Sequence, residues 1–330
     1  MNKLVGLLDS VIANATDTEI ESKALAGTAE VRRVEVADET ELPAWFDEVD
    51  AIIIWHQVKL SAVSLRRLRR CGIIVRNGVG YDNVDIKTAG ALGIAVANVP
   101  DYGTEEVADH AMALTLALLR HLPPLLAQTR SGGWDWKVVE GQVPRLRDMT
   151  FGIIGLGRIG TAVALRAKAF GFKVVFYDPY LAPGVEKALG LTRADELSDL
   201  LRMADVVSLH CPLTEETRGM IGRKEFNAMK PGSFLVNTAR GGIVDQEALK
   251  EALRKGIVAG AGLDVVTTEP PNDPELVGME NVLLTPHAAF YSRESFIECR
   301  RSSALIVKRF FETGKVLNLV NGESLMPKTR

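Results

Sequence analysis

Residues 151–179 read FGIIGLGRIGTAVALRAKAFGFKVVFYDP, and their order decides the fold. A short apolar run, a glycine turn, an amphipathic run and a second apolar run ending in an acid make a βαβ unit. Gly155, Gly157 and Gly160 stand as G-x-G-x-x-G, where a tight turn, a close approach of pyrophosphate and helix–strand contact each exclude a side chain. A helix beginning near Arg158 aims its first N–H groups at the phosphates. Asp178 lies 18 residues past Gly160, placed to accept hydrogen bonds from an adenosine ribose and to oppose a 2′-phosphate. Pro179 and Tyr180 follow in place of Arg or Lys, so the reading is NAD in preference to NADP.

Outward from this unit, the preceding residues alternate apolar strands (LVGLL at 4, VEV at 34, AIII at 51, IIVR at 73, IAVAN at 94) with polar helical stretches. That alternation is a small parallel α/β domain of its own. Its glycine-rich loop RNGVGYDN at 76 offers backbone N–H groups to an anion. From Thr104 to about Thr129 the periodicity is that of one long apolar-faced helix, interrupted only by Pro123 and Pro124. SGGWDWKVVEGQVPRLRD, from 131, follows as an arm whose Trp134 and Trp136 suggest burial against a second subunit, hence a homodimer. After Asp178 the alternation resumes to about residue 290. The last helix, Arg293 to Thr313, comes too late for that sheet and is expected to return to the first domain. The fold expected is therefore α/β with two Rossmann- or flavodoxin-like parallel-sheet domains. The first, 1–101 and 291–330, is discontinuous and completed by the C-terminal helix. The second, 102–290, binds the dinucleotide and carries the dimerisation helix and arm.

Composition narrows the function. At 330 residues and 47% hydrophobic content, two sizeable cores can be buried. The formal charge is −3 with positive charges dispersed, so nucleic acid is not an expected partner. Arg66, Arg67, Arg69 and Arg70 form the one basic cluster and read as the solvated face of a helix. Cys71, Cys211 and Cys299 have neither disulfide-framework nor zinc spacing, which points to a reducing cytoplasm and no metal. LVGLLDS near the start is too short for a signal sequence and reads as a strand, and no apolar run approaches membrane-spanning length.

Three ionisable residues follow strand-like runs in the second half: Arg240 after FLVNTA, Glu269 after GLDVVTT and His287 after VLLTP. Open α/β sheets bind ligands at strand C-termini, so the three can face one crevice. They suit reduction of a 2-oxo acid. A guanidinium clamps a carboxylate and polarises the adjacent carbonyl, while an imidazolium backed by a carboxylate donates the proton.

With these residues in view, the chain resembles the D-isomer-specific 2-hydroxyacid dehydrogenase family over essentially its whole length. The motifs responsible are GVGYDNVD at 78, VADH at 107, GLGRIG at 155, HCPLTEET at 210, NTARGGIVD at 237, the segment from Asp264 to Glu269 and PHAAF at 286. VALRAKAFGF at 163, FYDPYL at 176 and HAAFYS at 287 are further similar to the branch containing the C-terminal binding proteins, although Phe290 stands where those carry tryptophan. The resemblance implies that Arg240 binds substrate, Glu269 supports the acid/base and His287 is the acid/base. It implies that Arg158 and Ile159 contact the pyrophosphate and that Cys211, Pro212 and Thr217 form the adenine-side loop. Thr238, Ala239, Arg240 and Asp264 would lie on the nicotinamide side with His287. Val79 and Gly80 would present N–H groups to the substrate carboxylate, with Arg76 and Phe290 in the substrate pocket. The other histidines, His56, His110, His121 and His210, read as satisfied core residues.

Two functions compete: an NAD-dependent enzyme acting on a small 2-oxo or 2-hydroxy acid, and an NAD(H)-sensing dimeric binding module of the C-terminal binding protein type. The chain stops about 17 residues after its last helix, which favours the enzyme. Glu269, where formate dehydrogenases pair histidine with glutamine, argues against that branch, and a phosphoglycerate enzyme is expected to carry a further regulatory domain.

Overall fold

The computed structural model describes residues 3–8 and 18–326. Asp9 and Ser10 of the LVGLLDS segment, and the extreme ends of the expected first domain, lie outside the described residues. Contacts divide the chain into two units, Met1–Gly103 with Ser292–Arg330, and Thr104–Tyr291.

In the first unit the described residues form a five-stranded parallel sheet in the order β2-β1-β3-β4-β5, with β1 Lys3–Leu8, β2 Ala29–Val34, β3 Ala51–Ile54, β4 Ile73–Arg76 and β5 Ala95–Asn98. AIII and IIVR are wholly buried, as β-branched runs covered on both faces require. Helices α1 (Glu19–Ala24), α2 (Ala62–Arg67) and α3 (Ile86–Ala91) connect them. The strand expected around VEV at 34 lies earlier and ends at Val34. The basic cluster at the end of α2 is matched by acids, since Arg67 pairs with Asp47 (3.0 Å), Arg69 with Glu48 (2.9 Å) and Arg70 with Asp50 (2.9 Å).

In the second unit α4 (Thr104–Leu119) and α5 (Leu122–Arg130) precede a seven-stranded parallel sheet ordered β12-β11-β10-β9-β6-β7-β8. Its strands are β6 Thr150–Ile154, β7 Lys173–Tyr177, β8 Thr192–Arg193, β9 Val206–Leu209, β10 Ser233–Asn237, β11 Val258–Leu263 and β12 Val282–Leu284. Between them run α6 (Arg158–Ala169), α7 (Val185–Leu189), α8 (Leu197–Met203), α9 (Arg223–Ala228), α10 (Gln246–Arg254) and α11 (Pro274–Gly278). One core lies between the sheet and α4 and α6, the other between its opposite face and α8 to α10. The long helix expected from Thr104 is broken. His121 turns into the left-handed region (φ 49°) and Pro123 and Pro124 open α5, because proline lacks the N–H and clashes with the preceding turn. The arm after α5 carries two short 3-10 turns, with Trp134 90% and Trp136 65% exposed.

Helix α12 (Arg293–Thr313) belongs to the first unit. Arg300 grips Glu21 of α1 through two bonds of 2.7 Å, both side chains being buried, and Phe296 stacks on Trp55 at 5.2 Å. Removing one partner of such a buried pair costs about 3–5 kcal/mol because the other charge is left without compensation.

Candidate active site

The glycine loop joins β6 to α6. Gly155 has φ +89°, and a Cβ on Gly160 would stand 2.1 Å from the Gly155 carbonyl oxygen, so the first turn of α6 packs directly on the end of β6. Around Gly157, by contrast, nothing lies within 4 Å of where its Cβ would be. That opening sits at the N-terminus of a 12-residue helix, where Arg158, Ile159 and Gly160 contribute N–H groups without helical partners. An anion the size of a phosphate fits there, and a methyl group would occupy its place. Asp178, directly after β7, is fixed by two backbone donors, Leu156 N–H to Oδ2 (2.9 Å) and Tyr180 N–H to Oδ1 (3.0 Å). The carboxylate that would meet a ribose is thereby tied to the glycine loop itself.

On the strand neighbouring β6, β9 is followed directly by His210 and Cys211. The His210 residue is half-buried, yet its Nδ1 has neither solvent nor a partner, and Nε2 lies 2.8 Å from Ser208 Oγ. Burial pushes its pKa down to about 3, so the ring is neutral. Burial also pushes the Cys211 thiol up to about 11, which keeps it protonated and unreactive. Thr217 closes this loop, its hydroxyl donating to the Pro212 carbonyl (2.6 Å) and accepting from Thr214 N–H (2.8 Å).

Arg240, Glu269 and His287 follow β10, β11 and β12, three neighbouring strands of one parallel sheet, and so share its carboxyl edge. Asn237, 1% exposed, shapes the turn before Arg240 by accepting from Ala239 N–H (3.0 Å) and donating to the Arg240 carbonyl (2.9 Å). Thr238 in that turn is buried and its Oγ1 has no partner, a polar atom awaiting a ligand. The loops after β10 and β11 touch closely, since a Cβ on Gly241 would lie 2.0 Å from the Val266 carbonyl carbon. Glu269 accepts from Val266 N–H at Oε1 (3.2 Å) and meets His287 Nδ1 at Oε2 (2.7 Å). Acid and imidazole are thus in direct contact, and the Phe290 ring stands edge-on to His287 at 6.4 Å.

His287 holds an uncommon backbone conformation for a non-glycine residue, φ +52°. Asp264, 2% exposed, maintains it by accepting from Thr285 Oγ1 (2.6 Å), Ala288 N–H (2.8 Å) and Ala289 N–H (2.9 Å), while its own carbonyl accepts from His287 N–H (2.9 Å). His110 joins this network, with Nε2 2.9 Å from Thr285 Oγ1. Asn237, His110 and Thr285 lie inside the stretches NTARGGIVD, VADH and VLLTP, and His110 reads from sequence as a satisfied core residue; their joint support of the Arg240 and His287 turns is not signalled by the sequence.

In the first unit, Arg76 is buried with Nη1 donating to the Asn77 carbonyl (2.9 Å), and Val79 and Gly80 follow it on the surface turn after β4. Among the described residues no group of three or more His, Cys, Asp or Glu side chains could hold a metal ion, and no helix is long and apolar enough to cross a membrane.

Comparison with known proteins agrees with this architecture. The D-3-phosphoglycerate dehydrogenase of Methanocaldococcus jannaschii is 38% identical over 295 residues, covering 88% of this chain and 56% of that protein. The one from Archaeoglobus fulgidus is 40% identical over 279 residues, 84% of this chain and 52% of its own. The chain thus spans about half the length of these curated relatives. Among solved structures, D-lactate dehydrogenase from Aquifex aeolicus, complexed with NAD and lactic acid, superposes with a TM-score of 0.86 at 30% identity, covering 96% of this chain and 99% of that one. The NADPH-dependent glyoxylate/hydroxypyruvate reductase from Sinorhizobium meliloti, in complex with NADP and malonate, gives 0.86 at 33% identity with both chains fully covered. Residues 112–289 match the family described as "D-isomer specific 2-hydroxyacid dehydrogenase, NAD binding domain", so NAD is the cofactor of this unit. With two parallel-sheet units, the glycine loop and a family match over more than half its length, the chain belongs to the D-isomer specific 2-hydroxyacid dehydrogenase family.

Proposed function

We propose that this chain is an NAD-dependent oxidoreductase that interconverts a small D-2-hydroxy acid and its 2-oxo acid. The observation that carries the reading is the 2.7 Å contact between Glu269 and His287 on the strand edge shared with Arg240. When bound, NAD(H) supplies or takes the hydride at C2 of the substrate. Arg240 clamps the substrate carboxylate and polarises the carbonyl beside it. His287 gives Nδ1–H to Glu269, so proton exchange with the substrate oxygen falls to Nε2. During reduction that proton moves to the carbonyl oxygen while C2 gains the hydride, and the neutral ring regains a proton from solvent. Glu269 keeps the ring in the productive tautomer and stabilises its charged form. Gly155, Gly157, Arg158, Ile159 and Gly160 hold the pyrophosphate, Asp178 the adenosine ribose, and Cys211, Pro212 and Thr217 border the adenine. Thr238 and Ala239 border the nicotinamide, with Asp264 fixing the backbone of His287. Val79 and Gly80 receive the carboxylate, and Phe290 lines an apolar side of the pocket.

Asp178 supports NAD over NADP, because a 2′-phosphate would face a carboxylate already fixed in place. The wide spacing of Cys71, Cys211 and Cys299, which suits neither a disulfide framework nor zinc, supports a reducing, cytoplasmic setting. The exposed Trp134 and Trp136 support a homodimer in which a second copy covers the arm. Sedimentation of a Trp134→Ser, Trp136→Ser variant checks the assembly, a dimer unchanged from wild type speaking against it. For the activity, NADH oxidation is followed across glyoxylate, hydroxypyruvate and longer 2-oxo acids. Turnover with at least one of them that falls at least tenfold in Arg240→Lys is expected, and a chain that oxidises NADH with none of them is not this enzyme.

A further inference from the structure

The turn after β4 carries two adjacent backbone donors that are unpaired: among the described residues, neither Val79 N–H nor Gly80 N–H meets an acceptor. Their orientation is set from behind. Three successive carbonyls of this turn are each held by a donor. Asn77 O accepts from Arg76 Nη1 (2.9 Å), Gly78 O from Val99 N–H (3.0 Å), and Val79 O from Asn98 Nδ2 (2.6 Å). In a trans peptide the carbonyl and the following N–H point in opposite directions within one plane. Drawing the Gly78 and Val79 carbonyls toward the end of β5 therefore turns the Val79 and Gly80 N–H groups the other way, side by side, as an anion-binding concavity. Val99 contributes only backbone. Asn98 is the last residue of β5, 7% exposed and itself anchored by its N–H to the Asn318 carbonyl (3.3 Å), so its amide is a fixed point.

We propose that Asn98 is a positioning residue for the substrate carboxylate, its side-chain amide pinning the Val79 carbonyl so that Gly80 N–H is aimed at the ligand. The proposal rests on the reading in which Val79 and Gly80 receive that carboxylate. Without the pin the peptide between them rotates, and the ordering of two donors has to be paid out of substrate binding.

The test uses the full chain with NADH, oxalate as a two-carboxylate inhibitor, and a 2-oxo acid beside its primary amide, which keeps the carbonyl and lacks the carboxylate. Asn98→Ala is expected to raise the oxalate inhibition constant at least tenfold. It should lower kcat/KM for the acid at least tenfold more than for the amide, through KM more than kcat, with NADH affinity and circular dichroism unchanged. Asn98→Asp keeps the volume and faces Val79 O with an acceptor, so it must show the same selective loss and carries the test if the alanine variant aggregates. Equal losses for acid and amide, or wild-type oxalate inhibition in either folded variant, overturn the role of Asn98 alone. A wild-type protein that neither prefers the acid to the amide nor is inhibited by oxalate overturns the carboxylate reading beneath it as well.

Discussion

Gly157 and Gly160 stand three residues apart in one loop, yet the same substitution should injure them in different ways. In Gly160→Ala the added methyl would lie 2.1 Å from the Gly155 carbonyl oxygen and 3.1 Å from its carbon. An ordinary carbon–oxygen approach is about 3.3 Å. Helix α6 and the end of β6 must therefore separate by about 1.2 Å, the difference of the two, and overpacking of this kind costs about 1–3 kcal/mol. The better helix propensity of alanine returns about 1 kcal/mol at most. In Gly157→Ala nothing lies within 4 Å of the new methyl and φ is −73°, open to any residue, so the folded chain has only the poorer N-cap to absorb, less than about 1 kcal/mol. On the proposed reading, its methyl fills space that the pyrophosphate would take. Urea unfolding of the free protein and calorimetric titration with NADH separate the two effects. We expect Gly160→Ala to lose both stability and NADH affinity. Gly157→Ala should unfold near the wild-type midpoint and bind NADH at least tenfold more weakly, about 1.4 kcal/mol. Wild-type affinity in Gly157→Ala, or an unshifted midpoint in Gly160→Ala, would refute the assignment of this loop.

Three further outcomes follow from the site. His287→Ala should lower turnover by about 10² to 10⁴ while NADH binds within twofold of wild type, and an equal fall in NADH affinity would show that the histidine holds cofactor instead of moving protons. Asp178→Asn keeps an acceptor for Tyr180 N–H and removes the charge, so the ratio of NADPH to NADH efficiency should rise at least tenfold, about 1.4 kcal/mol, and an unchanged ratio contradicts the ribose role. His210 makes stability fall in acid. Its folded pKa of about 3 lies below its ordinary value of 6.5, so only the unfolded chain takes up a proton between them. That stability is complete above pH 6.5 and is lost as pH falls from there toward 3, about 1.4 kcal/mol per pH unit and so about 2 kcal/mol at pH 5. Urea midpoints of the free protein against pH should be flatter in His210→Gln by that amount, and parallel curves would place the neutral ring in error.

Much of this was legible because it is local. The glycine loop, β7 and Asp178 fall within one βαβ unit, and the periodicity of α12 gave its ends at Arg293 and Thr313. The family and the two parallel sheets followed from such signals and are borne out. What was not legible depends on distance along the chain. His110 and Thr285 are separated by 175 residues, and no periodicity links them. The break at His121 was misplaced because prolines were read as an interruption within a helix, whereas Pro123 and Pro124 are better suited to begin one. Trp134 and Trp136 are exposed in the single chain, so the burial expected of them would have to be intermolecular.

Asp264 holds the His287 segment by gripping the backbone N–H groups of Ala288 and Ala289 and a hydroxyl of the preceding strand end. None of these anchors involves the side chain of residue 290. On the proposed reading, the contour of the pocket can therefore be redrawn at Phe290 by exchanging one ring for another side chain while His287 stays in its place. A lineage built on this frame is free to wander in substrate range without first dismantling its chemistry, and an engineer can begin at the same residue.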